Sequence, residues 1–240
     1  MGRMHDALNK AEAQRTELRS AAGGSEGAAP AHAVNYRVDA RVIAYTAPAD
    51  PRCEEFRRVR TALQRMNPSP RVLVFAGFGD GGGSGLLVAN LAATYVESGA
   101  RVTVVDADLR APRLHTLVAG KAGPGLAEVM HGAAPLVQES GIGGTKLLAA
   151  GGTGDAAANP LRAAACKSLW SVLGSDTDII LVNAPSLDVS ADAEALAADA
   201  DGLVLVLRVG RDQRTRTDEA IARLQRSGVR VVGAVATSAG

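Results

Sequence analysis

The stretch FAGFGDGGGSGLLVANLAATY, residues 75–95, joins an apolar run typical of a buried β-strand to an apolar run typical of an α-helix. The connection between them, GDGGGSG at residues 79–85, contains five glycines. A glycine-rich turn that leads into a helix allows successive backbone N–H groups to surround a phosphate. We therefore interpret this turn as a phosphate loop, which Gly79, Gly81 and Gly83 would line.

The same loop lacks the side chains that handle charge in a complete phosphate loop. In such a loop a lysine contacts the β- and γ-phosphates, and a serine or threonine hydroxyl binds magnesium. Ser84 and Gly85 stand at those two positions, and no lysine lies between Lys10 and Lys121. Asp80 adds a negative charge beside the phosphate position. The sequence thus predicts the remnant of a phosphate site, at which nucleotide binding is weak or absent.

Composition narrows the class of protein. The 240 residues are 47% hydrophobic but only 3% aromatic, which predicts an aliphatic core, and the net charge of +1 gives no sign of nucleic-acid binding. Cys53 and Cys166 have no motif spacing, so we expect reduced thiols and no metal site. No apolar run is long enough to span a bilayer. We therefore expect a cytoplasmic protein that reaches the inner face of the plasma membrane only through a partner.

Two regions are predicted along the chain. Residues 1–33 contain helix formers followed by a Gly/Ala-rich segment, so an N-terminal helix and a flexible linker are expected. Residues 34–240 are predicted to form the folded domain. This domain is expected to begin with an extended segment, VNYRVDARVIAY, followed by a helix over residues 54–66.

The folded region alternates strand-like and helix-like stretches. Six short apolar runs rich in β-branched residues are typical of strands buried on both faces: RVLVFAG, RVTVVDA, TKLLAA, DIILVNA, GLVLVLRV and VRVVGAVATS. Helical stretches separate several of them, at residues 86–98, 160–173, 191–200 and 213–227. This order predicts an α/β fold with a mostly parallel sheet between two layers of helices. Ligands of such sheets bind at the carboxyl ends of the strands.

Polar residues follow two more of these strands. Asp106 and Asp108 follow RVTVV, and two carboxylates there would hold a hydrated metal or accept a hydroxyl proton. Alternatively, Asp106 caps the strand end and Asp108 pairs with Arg110. Asn183 follows DIILV, where an NTPase carries an aspartate that holds magnesium through water.

Taken in order, these stretches resemble the bacterial tyrosine kinases of capsule and exopolysaccharide biosynthesis, in the MinD/ParA-like branch of P-loop proteins. The resemblance covers residues 40–240 and depends on five motifs in sequence. These are EEFRRVRTAL (54–63), VVDADLRAPRLH (104–115), PGLAEVMHG (124–132), ANPLRA (158–163) and DADGLVLVLRVGRDQRT (199–215).

The resemblance implies a P-loop NTPase-like fold, the cofactors ATP and magnesium, and phosphorylation of tyrosines in a C-terminal tail. It implies that Asp106 and Asp108 are the catalytic carboxylates and that Arg211, in the basic turn, faces the nucleotide.

It also implies partners. Family members form homo-oligomeric rings through an E-x-x-R-x-x-R helix, matched here by Glu54, Arg57 and Arg60, and act with a membrane-bound polysaccharide copolymerase, the chain-length determinant. Without the resemblance, a solvated helix with a Glu54–Arg58 pair is the simpler interpretation.

The sequence departs from this family at the residues that carry the chemistry. Ser84, Gly85 and Asn183 stand in place of the lysine, the serine or threonine, and the aspartate. The tyrosines of the sequence are Tyr36, Tyr45 and Tyr95, so the expected tail tyrosines are missing.

Three hypotheses follow. The first is a catalytically inactive tyrosine-kinase-like protein, a pseudoenzyme that regulates or scaffolds exopolysaccharide synthesis by assembling with an active paralogue or with the copolymerase. The second is an active autokinase or ATPase, in which Arg208, Arg211 or an arginine of a neighbouring subunit replaces the lysine. The third is a MinD/ParA-like positioning or binding module.

Overall fold

The aliphatic runs of the sequence assemble into one seven-stranded sheet. The structure is a computed structural model that describes residues 37–79, 84–152 and 163–238. The strands are β1 (Val72–Gly77), β2 (Val102–Asp106), β3 (Gln138–Glu139), β4 (Thr145–Leu148), β5 (Ile179–Asn183), β6 (Gly202–Arg208) and β7 (Val231–Thr237). Their order across the sheet is β3-β4-β2-β5-β1-β6-β7. All neighbouring strands are parallel except β3 and β4, so the predicted α/β fold with a mostly parallel sheet is confirmed.

The central strand shows why the sequence of these runs is apolar without alternation. In β1, Val72, Val74 and Ala76 pack into the core on one face of the sheet, and Leu73 and Phe75 pack into the core on the other face. Every residue of the strand is buried. A strand covered on both faces therefore needs an apolar residue at every position.

Helices cover both faces of the sheet. They are α1 (Ile43–Thr46), α2 (Cys53–Gln64), α3 (Ser84–Glu97), α4 (Leu114–Leu117), α5 (Leu126–Met130), α6 (Ala163–Leu173), α7 (Asp192–Ala198) and α8 (Arg214–Arg226), with a short 3₁₀ helix at Gly174–Asp176. The core on one face includes buried residues of α1 to α4, and the core on the other face includes buried residues of α5 to α8. None of the helices in the described ranges combines the length and the hydrophobicity that a bilayer span requires.

One predicted element is wrong. Residues 37–45, the described part of the segment expected to be extended, contain no strand and lead into the single helical turn of α1. The buried side chain of Asn90 accepts a hydrogen bond from the Ala44 backbone N–H (3.0 Å) and donates one to the Arg41 carbonyl (3.2 Å). These contacts with α3 replace the partners that a neighbouring strand would have supplied.

Several predictions concern residues outside the described ranges. These are the N-terminal helix and linker, the domain boundary at residue 34, and most of the ANPLRA motif. The short strand β3 was not predicted, because its two polar residues carry no strand signal.

Candidate functional site

Three strand ends define the candidate site. The carboxyl ends of β1, β2 and β5 border a cavity of about 710 Å³. Because β5 lies between β1 and β2, Asn183 is in register with Phe75 on one side and with Asp106 on the other. The carboxyl edge of the sheet thus brings together residues that are far apart in the chain, as expected for a ligand site in this fold.

A buried chain of hydrogen bonds connects three of the predicted site residues. The Ser84 hydroxyl donates to Asn183 Oδ1 (2.7 Å), and Asn183 Nδ2 donates to Asp106 Oδ1 (2.8 Å). All three side chains are buried. The two positions at which lysine and aspartate were expected therefore hydrogen-bond to each other, and the Asn183 amide also bonds to the carboxylate of Asp106.

Asp106 caps the end of its strand, as the simpler of the two interpretations predicted. Its Oδ2 accepts the backbone N–H groups of Arg113 (3.1 Å) and Leu114 (2.9 Å) and so holds the start of α4. Burial raises the pKa of the carboxyl to about 6, although the hydrogen bonds from Asn183 and Leu114 act in the opposite direction.

Asp108 lines the cavity and is half-buried. Its Oδ1 accepts the backbone N–H of Ala111 (3.2 Å). Within the described ranges it forms no ion pair with Arg110, so the alternative Asp108–Arg110 pairing is not found.

The described part of the phosphate loop begins with Gly79, whose φ of 65° is in the left-handed region that favours glycine. Its N–H donates to Asp188 Oδ2 (2.8 Å), and Asp188 forms an ion pair with Arg216 (2.7 Å). A protein carboxylate thus binds this loop N–H. Asp80, Gly81 and Gly83 lie outside the described residues.

Arg208, the last residue of β6, and Arg211, in the turn after it, are not among the residues that line the cavity. Arg208 donates to the Phe78 carbonyl (2.7 Å) and forms an ion pair with Asp212 (3.2 Å). Arg211 is exposed in the turn that follows β6. The Arg208 guanidinium lies beside Gly79 of the loop, where a Cβ would be 2.8 Å from its Nη2, and the expectation that Arg208 or Arg211 replaces the missing lysine stays a prediction.

Three other arginines line the cavity: Arg41, Arg110 and Arg113. Sequence reasoning missed all three as site residues. Arg110 and Arg113 follow the two aspartates within one motif, which was a usable signal. Arg41 had none, because its position depends on the contacts of Asn90 with the Arg41 carbonyl and with Ala44 in α1.

The residues at the site do not fit magnesium. Mg²⁺ requires octahedral oxygen ligands, usually carboxylates together with phosphate and water. The Asn183 oxygen and both oxygens of Asp106 already accept hydrogen bonds, and Gly85 has no hydroxyl. Asp108 is the remaining carboxylate at the cavity. Across the described ranges, no group of three or more His, Cys, Asp or Glu side chains is arranged to hold a metal ion.

The arginines of the E-x-x-R-x-x-R helix are engaged within the chain. Arg57 forms ion pairs with Glu54 (2.6 Å) and Glu97 (2.7 Å). Arg60 donates to the Thr94 carbonyl. The contacts of Arg57 with Glu97 and of Arg60 with Thr94 connect α2 to the last turn of α3. The predicted contact between copies through Glu54, Arg57 and Arg60 stays a prediction.

The expected ion pair between Glu54 and Arg58, four residues apart, is not formed. Two ion pairs between residues three apart are found in its place. Glu54 pairs with Arg57, and Glu55 pairs with Arg58 (2.7 Å).

Comparison with curated proteins identifies bacterial tyrosine kinases as relatives. The chain is 31% identical over 199 residues to the putative tyrosine-protein kinase EpsB of Ralstonia solanacearum, a match that covers 81% of this chain and 26% of that protein. It is 27% identical to the tyrosine-protein kinase YwqD of Bacillus subtilis, with 83% of this chain and 86% of that protein covered. The chain thus spans about a quarter of the length of EpsB. No model of a known protein family matches the chain.

Solved structures agree. The kinase domain of the Escherichia coli tyrosine kinase ETK is 26% identical, with a TM-score of 0.76 and coverage of 82% of this chain and 79% of that one. The septum site-determining protein MinD of Pyrococcus horikoshii, complexed with Mg-ADP, is 20% identical, with a TM-score of 0.58 and coverage of 68% of each chain. The MinD likeness shows a shared fold alone. Together with the curated relatives, these structures confirm the predicted resemblance: the homologues of this chain are bacterial tyrosine-protein kinases, and the chain has the P-loop NTPase fold of their kinase domains.

Proposed function

We propose that this chain is a catalytically inactive member of its family that regulates or scaffolds exopolysaccharide biosynthesis. The observation that carries the proposal is the buried hydrogen-bond chain from Ser84 through Asn183 to Asp106. In an active site of this kind, a lysine, a hydroxyl and an aspartate neutralise and position the transferred phosphate. Here the residues at the lysine and aspartate positions form a hydrogen bond with each other, and the residue at the aspartate position also bonds to Asp106. The hydroxyl position is occupied by a glycine.

The expected loss of rate is large. Removing one preorganised group that stabilises developing charge costs on the order of 10²–10³ in rate. Three such groups are replaced at one site. The three rate losses need not multiply. One loss alone would already reduce the rate of phosphoryl transfer to a small fraction of the rate of an ordinary kinase.

The test compares the chain with a restored variant. We would measure ATP hydrolysis and phosphotyrosine formation, with magnesium, for the chain and for the Ser84→Lys, Gly85→Ser, Asn183→Asp triple variant. A side chain at Gly85 fits, because a Cβ there would lie 3.6 Å from the Asn183 amide and from Leu117 Cδ1. We expect no turnover by the native chain and measurable ATP hydrolysis by the variant. Hydrolysis by the native chain at a rate like that of an active relative would overturn the proposal.

A second candidate is an active ATPase or autokinase, and the three cavity arginines favour it. Guanidinium groups stabilise charge in phosphoryl transfer when they reach the phosphates. The same turnover assay separates the two candidates. Gain of turnover only after mixing with a partner protein would favour the second.

The protein partners of this chain are inferred from its resemblance to the tyrosine kinases and not from the cavity. We propose that the chain assembles with itself or with an active paralogue, and that a membrane-bound polysaccharide copolymerase recruits it to the membrane. The third hypothesis, a positioning or binding module unrelated to polysaccharide, predicts that the neighbouring genes have no role in polysaccharide synthesis. Gene neighbourhood therefore tests it directly.

A further inference from the structure

We propose that strand β7 is an interface at which two copies of this chain pair edge to edge, in antiparallel orientation. The inference rests on the proposed function in one respect, the assembly of the chain with itself, to which it assigns a surface. It follows from the exposure of the strand, the direction of its free backbone groups and the lack of charge along it.

β7 is an edge strand of the sheet, and its outer side is open. Within the described ranges its one neighbour in the sheet is β6. The strand is apolar apart from Thr237, yet Gly233, Ala234 and Ala236 are exposed. A Cβ at Gly233 would meet no heavy atom of the described residues within 4 Å, apart from its chain neighbours. Another backbone can therefore approach the strand closely at this point.

The backbone of β7 offers hydrogen-bonding groups along the open edge. The Thr237 carbonyl accepts the Val209 N–H (2.9 Å), so the peptide groups of Thr237 face β6 and the residue that follows it. Along a strand in a sheet, these groups face one neighbour and then the other from residue to residue. Ala234 and Ala236 lie three positions and one position before Thr237, so their N–H and C=O groups point away from β6. They are available to another strand.

β7 lacks the features by which natural edge strands avoid pairing with another chain. Such strands carry lysine, inward-pointing charges or proline, or are twisted away by a bulge. The sequence of β7, VVGAVAT, contains neither a charged residue nor a proline. The register irregularity against β6 lies at Val232, and residues 233–237 pair regularly with β6. The apolar edge also extends to Val209, whose side chain is 65% exposed.

The charge pattern favours a second copy of the same strand as the partner. The register that uses both exposed alanines places Ala234 opposite Ala236 of the second copy, and Val235 then faces its own counterpart. Small and β-branched side chains meet along this pair, and no like charges face each other. The two Arg230 side chains would lie about 30 Å apart, which is beyond the Debye length at physiological salt. The net charge of +1 adds little long-range repulsion between copies.

The first experiment is sedimentation velocity of the full chain over a range of protein concentrations. We expect a dimer that increases with concentration. Ala236→Lys should weaken dimerisation about tenfold or more, because the two introduced lysines would lie diagonally across the pair, about 7–8 Å apart. Ala222→Lys is the matched control, because Ala222 is exposed on α8 and the substitution adds the same charge. The control should associate like the native chain.

A charge swap tests the register. Ala234→Glu should also weaken dimerisation, because it introduces two glutamates on the same kind of diagonal. In a mixture of Ala234→Glu with Ala236→Lys, the glutamate of one chain lies directly opposite the lysine of the other. We therefore expect the mixture to form a heterodimer that neither variant forms alone.

A cysteine substitution tests the same register without a change of charge. Facing residues of a non-hydrogen-bonded antiparallel pair have Cα atoms about 4.5 Å apart, a distance that a disulfide spans. Val235→Cys should thus form a disulfide-linked dimer on mild oxidation, and Ala222→Cys should not. The native thiols of Cys53 and Cys166 are buried and give little background.

The outcomes separate this inference from the proposed function. It is overturned if the native chain is monomeric at every concentration, if Ala236→Lys associates as tightly as the control, or if the charge-swapped mixture does not associate. A monomer whose β7 amides resist hydrogen exchange would also overturn it, since another part of the chain would then cover the strand. A larger assembly that the β7 variants leave intact would refute this interface and leave the proposed self-assembly standing. Turnover in the separate ATP assay would refute the inactive-enzyme proposal alone.

Discussion

Asn183 Nδ2 donates a hydrogen bond to Asp106 Oδ1 across 2.8 Å, and this contact joins the ends of two neighbouring strands, β2 and β5. An aspartate at position 183 would bring a second carboxylate to the same buried place. Because the Asn183 amide is neutral, the site holds one carboxylate instead of two and needs no cation to neutralise a second negative charge. Most of the expected behaviour of the site follows from this contact.

Replacing Asn183 with aspartate should create a site that depends on a cation. Two buried carboxylates in contact cannot both ionise without compensation, so we expect Asn183→Asp to lose about 3 kcal/mol or more of stability at pH 8. At pH 5 the loss should be smaller, because one proton is shared. Thermal unfolding at both pH values, with and without magnesium, measures this. Magnesium should raise the Tm of the variant, and a similar rise in the native chain would contradict the assignment of its site as unfit for metal.

Asp106 should make the native chain less stable as pH rises from about 4 to about 6. Its pKa is raised to about 6 in the fold, so in this interval the unfolded chain has released the proton that the folded chain keeps. Asp106→Asn should therefore gain stability relative to the native chain across the same interval, and the difference should level off above it. In Asp106→Asn the hydrogen-bond chain can form in the reverse direction, from the amide at position 106 to Asn183 and from Asn183 to Ser84. The reversal is possible because the Ser84 hydroxyl can accept a hydrogen bond as well as donate one.

Urea unfolding of both proteins at a series of pH values checks this expectation. Asp218→Asn, at an exposed position on α8, is the control and should follow the native curve. A constant difference between Asp106→Asn and the native chain at all pH values would show that this carboxyl does not titrate as described.

Arg60 should stabilise the docking of α2 on α3. Its guanidinium donates to the carbonyl of Thr94, in the last turn of α3, which also accepts the backbone N–H of Ser98 (3.2 Å). Arg60→Met keeps much of the side-chain packing and removes the hydrogen bond, and we expect a loss of about 1–3 kcal/mol in the free energy of unfolding. Arg58→Met is the control, since Arg58 forms an exposed pair with Glu55. Urea midpoints that are equal for the two variants would count against this role.

Size-exclusion chromatography on the same two variants addresses the subunit contact. A change in apparent mass with Arg60→Met, without loss of stability, would favour a contact between copies over the contact within the chain.

Gly125 should tolerate no side chain. A Cβ at this position would lie 2.0 Å from the Ala149 carbonyl oxygen, a backbone atom that cannot move aside cheaply. Gly125→Ala should therefore cost about 1–3 kcal/mol or more. Gly143→Ala is the matched control, because no heavy atom lies within 4 Å of a Cβ there. Thermal unfolding distinguishes the two, and equal Tm values would show that the loop before α5 adapts freely.

Much of the fold was predictable because its signals are local. A run such as RVLVFAG is apolar at every position since both faces of β1 are buried, and this property is visible without knowing any neighbour. The order of strands and helices then predicts a parallel sheet, and the ends of β1, β2 and β5 predict which edge carries the site. The departures of Ser84, Gly85 and Asn183 from a complete phosphate site were equally visible in the sequence.

Contacts between distant parts of the chain required the tertiary structure. Ser84 and Asn183 are 99 positions apart, and Asn183 and Asp106 are 77 positions apart, yet the insertion of β5 between β1 and β2 makes them hydrogen-bond partners. The place of Arg41 at the cavity likewise depends on Asn90, 49 positions away. Sequence by itself determined which chemical groups the protein lacks, because composition and spacing are local properties. The tertiary structure decided which of the remaining groups meet, because that depends on the order of strands in the sheet.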